Sequence, residues 1–209
     1  MVNKNNVKST LICSKFMDVK PHFEPGTKNE IAIVFSCPGQ EEQRAGKPAA
    51  GKTGTNLALL LGLLNERSDL EFTREAITIT NAWDQIEYKN ETGRSEAKVS
   101  EIYASDNLQR LTNELNHINR LIICSGEKAY NAVEKIKDLL NKKVTIVKIR
   151  HLGYQSLNQI STDMKGNEIL SVKKIKQNGD ERDERAIGYE NTLRRLETQC
   201  ILILTALKR

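Results

Sequence analysis

A chain of 209 residues with 32 basic against 27 acidic side chains is long enough for one full α/β domain and short for two. Its net charge of +5 favours a polyanionic partner, while aromatics at 5% argue against a single-strand binder that stacks base after base on aromatic platforms. The four cysteines, Cys13, Cys37, Cys124 and Cys200, form no C-x-x-C pair, which argues against a zinc ribbon or a regular cluster motif and suits reduced thiols buried as small hydrophobes.

The polar start, Met1 to Asn6, lacks an apolar signal core, and no run approaches the ~18 apolar residues that span a bilayer. The expectation is a soluble, cytoplasmic protein with no membrane contact and no metal or other cofactor. After an N-terminal arm, expected to be partly helical, four apolar runs rich in β-branched residues predict strands over 31–36, 76–80, 121–124 and 144–149. Helical patterns lie between them at 56–64, 108–115 and 127–140, the last with Ala129, Val133, Ile136 and Leu140 at helical spacing. Alternation of this kind predicts an α/β fold: a three-layer α/β/α sandwich around a central, mostly parallel four-stranded sheet. Ligands in such sheets sit beyond the carboxyl ends of the strands, which points to 37–43, 81–84, 125–128 and 151–158.

Beyond a core at about 30–160 the chain turns polar and charged over 161–188. Residues 169–175 read there as one arm of a hairpin, with Asn178-Gly179 as a turn signal and the charges as a solvated face. A closing helix over 189–208 places Leu193, Leu196, Cys200, Ile203 and Leu207 on one face, for packing on the core. One domain, acting as a monomer, is expected.

Residues Gly46 to Thr53 match G-x-x-x-x-G-K-[ST], the phosphate loop of nucleotide enzymes, which would make this a P-loop phosphotransferase. That loop needs a strand running directly into its first glycine, and here the strand ends near Ser36, well short of Gly46. Pro48 removes a donor from the cradle, and no strand delivers an aspartate for magnesium, since 77–80 runs into Asn81 and 121–124 into Ser125-Gly126.

A second pattern runs through the same stretch. Ser36-Cys-Pro-Gly-Gln-Glu-Glu42 after the first strand resembles the Gly-Glu-Ala-Pro-Gly-x-x-Glu motif of the uracil-DNA glycosylase superfamily, especially its iron–sulfur class. Gly46-Lys-Pro-Ala-Ala-Gly-Lys-Thr-Gly54 is similar to that class's Gly-Arg-Pro-Phe-Val-Gly-x-x-Gly. Ile79-Thr-Asn81, Leu121-Ile-Ile-Cys-Ser-Gly126 and His151-Leu-Gly-Tyr-Gln155 resemble its later motifs, in order and over about residues 30–160. The resemblance implies a DNA glycosylase that flips a nucleotide, hydrolyses the N-glycosidic bond and leaves an abasic site, with DNA as partner. It implies that Asn81 reads the base edge, for which an amide offers both donor and acceptor, with Cys37, Pro38 and Ala49 around the base. It makes His151 the donor to the departing base. For the DNA backbone it points to Gly39, Lys47, Gly51, Lys52 and Ser156, with glycines giving close approach and amides ahead of a helix attracting phosphate.

Three departures sharpen the expectation. Ser36 stands where the resembled class has its water-positioning glutamate, leaving Glu42, Glu41 or Asp84 as the acid, Ser36 itself with a polarised water, or no catalysis at all. Ala49 replaces an aromatic that stacks on uracil, which enlarges the pocket and points to a bulky modified base, with antiphage defence as an extension. The cluster cysteines are absent, so a protein without iron is expected. The alternatives are a sensor that binds damaged or modified DNA without cutting it, and the P-loop phosphotransferase.

Overall fold

The computed structural model describes residues 19–208 and builds them on strands β1 (Ile31–Phe35), β2 (Thr78–Asn81), β3 (Leu121–Ser125) and β4 (Thr145–Ile149). The sheet is entirely parallel in the order β2-β1-β3-β4, and Val34 of β1 stands between Thr80 of β2 and Cys124 of β3. Every residue of β1, β2 and β3 is buried, as continuous apolar runs require when helices cover both faces.

The helices in chain order are α1 (Gln40–Ala45), α2 (Gly51–Asn65), α3 (Lys89–Thr92), α4 (Val99–Ile102), α5 (Ser105–Leu115), α6 (Glu127–Ile136), α7 (Tyr154–Leu157), α8 (Val172–Gln177) and α9 (Glu184–Leu207). Strand alternation sorts them into two layers. Ile31, Ile33 and Phe35 pack with Leu57, Leu60 and Leu64 of α2 and with Leu196, Cys200 and Ile203 of α9. Ala32 and Val34 pack on the other side with Leu111 and Leu115 of α5 and with Ala129, Val133 and Ile136 of α6. The three-layer α/β/α architecture expected from the sequence is therefore present. No helix among the described residues is long and apolar enough to cross a membrane.

Helix α2 starts at Gly51, not at 56. Its first turn carries Gly51 and Gly54, which local propensity reads as loop, but a Cβ on Gly54 would lie 2.3 Å from the Ala49 carbonyl oxygen, so the bare glycine lets the preceding loop close on the helix. Helix α6 stops at Ile136 and tightens into a turn over Lys137–Leu139, yet Leu140 is still buried against the core. The predicted hairpin arm at 169–175 is replaced by helix α8. Ser171 caps that helix by accepting from the Lys174 amide at 3.3 Å, and Asn178-Gly179 ends it, with Gly179 in the left-handed region at φ +87°. The charged run that follows caps α9: Asp183 accepts from the amides of Arg185 and Ala186, so the closing helix begins ahead of 189. The expected N-terminal arm before residue 19, and Cys13 within it, lie outside the described residues.

Two glycines of α2 give opposite expected outcomes. Gly54→Ala forces its methyl into the Ala49 carbonyl and should lower stability by about 1–3 kcal/mol. Gly62 has open space where a Cβ would stand, so Gly62→Ala should raise stability by up to about 1 kcal/mol through helix propensity alone. Thermal melts of the two variants beside the parent chain check both signs.

Candidate active site

All strands run the same way, so all release their loops at one edge. Ser36 follows β1, Asn81 ends β2, Ser125 and Gly126 close β3, and His151 comes just after β4. From the central strand β1 the chain leaves first towards β2 and later supplies β3 on the other side, which opens a crevice between the two loops. There lies a small pocket of about 190 Å³ whose walls include Phe35, Ser36, Glu42, Ala49, Asn81 and His151. It adjoins an open groove of about 1130 Å³ that carries Lys128, Lys148 and Arg150 along its length.

The loop after β4 is pinned residue by residue. The Arg150 amide donates to Gln199 Oε1 at 2.8 Å, and the Leu152 amide donates to the buried Ser125 Oγ at 3.2 Å. Asn56 Nδ2 on α2 donates to the Leu152 carbonyl at 2.7 Å. Between these anchors the His151 ring meets Phe35 edge-on, with centroids 6.1 Å apart. The Gly153 amide donates to His151 Nδ1 at 2.9 Å, and a Cβ on Gly153 would stand only 2.8 Å from that nitrogen. An Nδ1 that accepts leaves the neutral ring's proton on Nε2, which turns Nε2–H into a donor. Burial holds the His151 pKa below its ordinary value, against an opposing pull from Glu96 and Glu42.

Asn81 is 2% exposed in the same pocket. Its Nδ2 donates to the His22 carbonyl at 3.2 Å, which fixes the amide plane and leaves its Oδ1 and second N–H without a partner among the described residues. Arg110 of α5 holds the chain behind it by donating to the Asn81 and Ala82 carbonyls at 3.0 and 3.3 Å.

The two acids singled out in the sequence fare differently. Glu42 reaches the pocket, but Oε2 accepts from the Gly39 amide at 3.0 Å and Oε1 from the Ala50 amide at 2.9 Å, so its carboxylate staples the α1 and α2 entry loops together. Asp84 is turned away from the pocket towards α5: Oδ2 lies 3.9 Å from Arg110 Nε and Oδ1 accepts from Gln85. The third candidate, Ser36, is 7% exposed and lines both the pocket and the groove, and its Oγ has no hydrogen-bond partner of ordinary geometry beyond an interaction with the Cys37 sulfur.

Around the base position Cys37 lines the pocket, with burial raising its thiol pKa, whereas Pro38 is buried behind it and offers its carbonyl to the Glu87 amide at 2.9 Å. Ala49 is on the wall with φ +46°, a left-handed conformation that costs an alanine on the order of 1–2 kcal/mol. Arg74 holds it there, donating to the Pro48 and Ala49 carbonyls at 2.6 and 3.3 Å while paired with Glu24.

The backbone-binding candidates are spread more widely than expected. Lys47 and Lys52 are exposed, make no ion pair among the described residues and lie outside both cavities. Gly51 opens α2 at the surface, and the Gly39 amide is already taken by Glu42, so it has no free donor for a phosphate. Ser156, on α7, lines the groove. The P-loop reading fails on geometry: α1 intervenes between β1 and Gly46, and Gly46 is the left-handed cap that ends α1.

Sequence reasoning missed two groups. Glu87 lines the pocket with its side chain 2% exposed, and the Arg94 guanidinium beside it, helped by Thr92, lowers its pKa to about 2. Glu96 and Ser95 reach both cavities from the loop after α3, a stretch with no motif that could have announced it.

Against known families, the model of the uracil DNA glycosylase superfamily matches residues 21–172, a span that takes in every strand and the whole pocket. No curated protein matches the chain.

At pH 7, nitrogen NMR of the imidazoles should show His151 neutral, protonated on Nε2 and titrating below its ordinary 6.5. The unfolded chain then takes up a proton near pH 6.5 that the folded chain resists, so stability is lost as pH falls through 6.5 towards the lower folded value. His151→Asn should remove that part of the acid-side loss, as read from denaturant midpoints at pH 7 and pH 5.

Proposed function

The chain belongs to the uracil-DNA glycosylase superfamily, and from that membership we propose a DNA glycosylase that flips a nucleotide, hydrolyses its N-glycosidic bond and leaves an abasic site. The observation that carries this reading is the pairing, in one small pocket, of an amide fixed for edge reading at Asn81 with a neutral imidazole whose free nitrogen is a donor at His151. As the base–sugar bond loosens, negative charge gathers on the base, and a donor already in place in a dry pocket stabilises it without reorganisation. A neutral donor suits this role, since it gives a hydrogen bond without needing to hold a full charge in a buried site.

The substrate is proposed to be a base bulkier than uracil. Ala49 leaves a methyl on the pocket wall where an aromatic ring would stand, and the room this frees would admit a substituent on the base. Such bases mark modified phage DNA, so a defence role in the cytoplasm follows as part of the same proposal. Lys128, Lys148 and Arg150 line the groove that a phosphodiester chain would occupy, with Lys128 and Lys148 paired to Glu96 and Glu127 at 2.6 and 2.9 Å until phosphates compete for them. A non-cutting sensor of modified DNA has one observation in its favour, the commitment of both Glu42 oxygens to backbone amides.

Incubation with DNAs carrying different natural base modifications, followed by alkali and mass spectrometry of the released bases, tests both readings. Base release with strand scission at the abasic sites is expected. Asn81→Ala and His151→Ala should each lower the rate by about 10²–10³-fold, the usual effect of removing one preorganised donor. Tight binding without release of any base would establish the sensor instead.

A further inference from the structure

We propose that Glu96 is the carboxylate that activates water in this site, acting with Ser36 and His151 at the neck between pocket and groove; the assignment rests on the hydrolase reading above. Ser36, Ser95, Glu96 and His151 line both cavities, which places them at the passage from one to the other. A flipped nucleotide with its base in the smaller pocket and its backbone in the groove has its sugar, and therefore the bond to be cut, at that passage.

The carboxylates of the pocket sort by what their oxygens already hold. Both oxygens of Glu42 accept backbone amides. Both oxygens of Glu87 are bound by Arg94, and Oε2 also accepts from Thr92. Glu96 alone among the three keeps an oxygen open: Oε2 stands 2.6 Å from Lys128 Nζ, while Oε1 has no partner among the described residues. Its side chain is 55% exposed, as a group facing an incoming sugar must be before the nucleotide arrives. The loop beneath it is nevertheless anchored, because Lys128 Nζ also donates to the Ala97 carbonyl at 2.8 Å and Ala97 is 1% exposed in the core. Across the neck the buried Ser36 Oγ lacks a partner of ordinary geometry, which makes it a ready second contact for a water.

The step balances with one water. The C1′–N bond breaks and its electron pair leaves with the base, whose charge accepts a hydrogen bond from His151 Nε2–H. A water held by Ser36 Oγ and Glu96 forms the new C1′–O bond, and its proton passes to the Glu96 carboxylate and from there to solvent. The departed base takes up a proton from solvent, so the products are a free base and an abasic sugar bearing a hydroxyl. This arrangement explains how a chain with serine after β1 can still hydrolyse the bond: the acid comes from the loop after α3, on the other side of the neck.

Single-turnover base release by the full chain tests the assignment on whichever modified DNA the parent protein cleaves. Glu96→Gln should slow release by at least about 10²-fold while DNA affinity changes less than threefold, and added formate should restore part of the rate in Glu96→Ala. Release by Glu96→Gln within threefold of the parent overturns the role of Glu96 and leaves the hydrolase reading standing. A parent protein that releases no base from any DNA tested overturns the hydrolase reading and the role of Glu96 with it. Circular dichroism and thermal melts matching the parent tie a slow Glu96→Gln to chemistry; a variant that melts early with weakened DNA binding, and no formate rescue, assigns Glu96 to structure and overturns the proposal.

Discussion

Parallel pairing of four strands is the constraint from which the rest of the molecule follows. Parallel strands cannot be joined by tight turns, so each connection must cross a face of the sheet, and those crossings become the two helical layers that bury β1 and β3 completely. The same polarity puts every strand's carboxyl end on one edge. Ser36, Asn81, Ser125 and His151 are far apart in the chain and converge only because the sheet delivers them together.

Convergence alone does not make a site; the loops must also be held still. Here buried polar groups do the holding. Ser125 and Asn56 grip Leu152 from two elements, and Gly153 sets the His151 tautomer, so the donor nitrogen is aimed before any ligand arrives. Glu42 does the same for the loops leading into α1 and α2, and Arg74 for the strained Ala49 segment. Where such a bond is buried, as at Leu152, it satisfies a group that would otherwise cost about 1–3 kcal/mol.

The division of labour among acids follows from that economy of partners. A carboxylate whose oxygens both accept from the protein has less capacity left for a water than one with an open oxygen. Glu42 and Glu87 are of the first kind, and Asp84 lies beside the half-buried Arg110. Unspent hydrogen-bonding capacity lies with the Ser36 hydroxyl, the second oxygen of Glu96 and the His151 Nε2 donor.

Strand periodicity and β-branched runs were enough to determine the sheet, its flanking layers and the edge on which the site lies, because buried parallel strands impose a continuous apolar signature that few other structures share. Asn81 and His151 are legible only through the resemblance of their motifs to the glycosylase superfamily, since position alone also allows a turn-capping amide and a loop histidine. Helix α8 was misread because its short run, Val172 to Gln177, owes its form to the Ser171 cap and the Gly179 stop rather than to any pattern of its own. What only the tertiary structure decided is which polar groups are already engaged. Glu42 matched an acidic motif position and proved to be a staple, while Glu96 matched nothing and stands at the neck of the pocket. Hydrogen-bond occupancy depends on partners distant in sequence, and no local pattern carries that information.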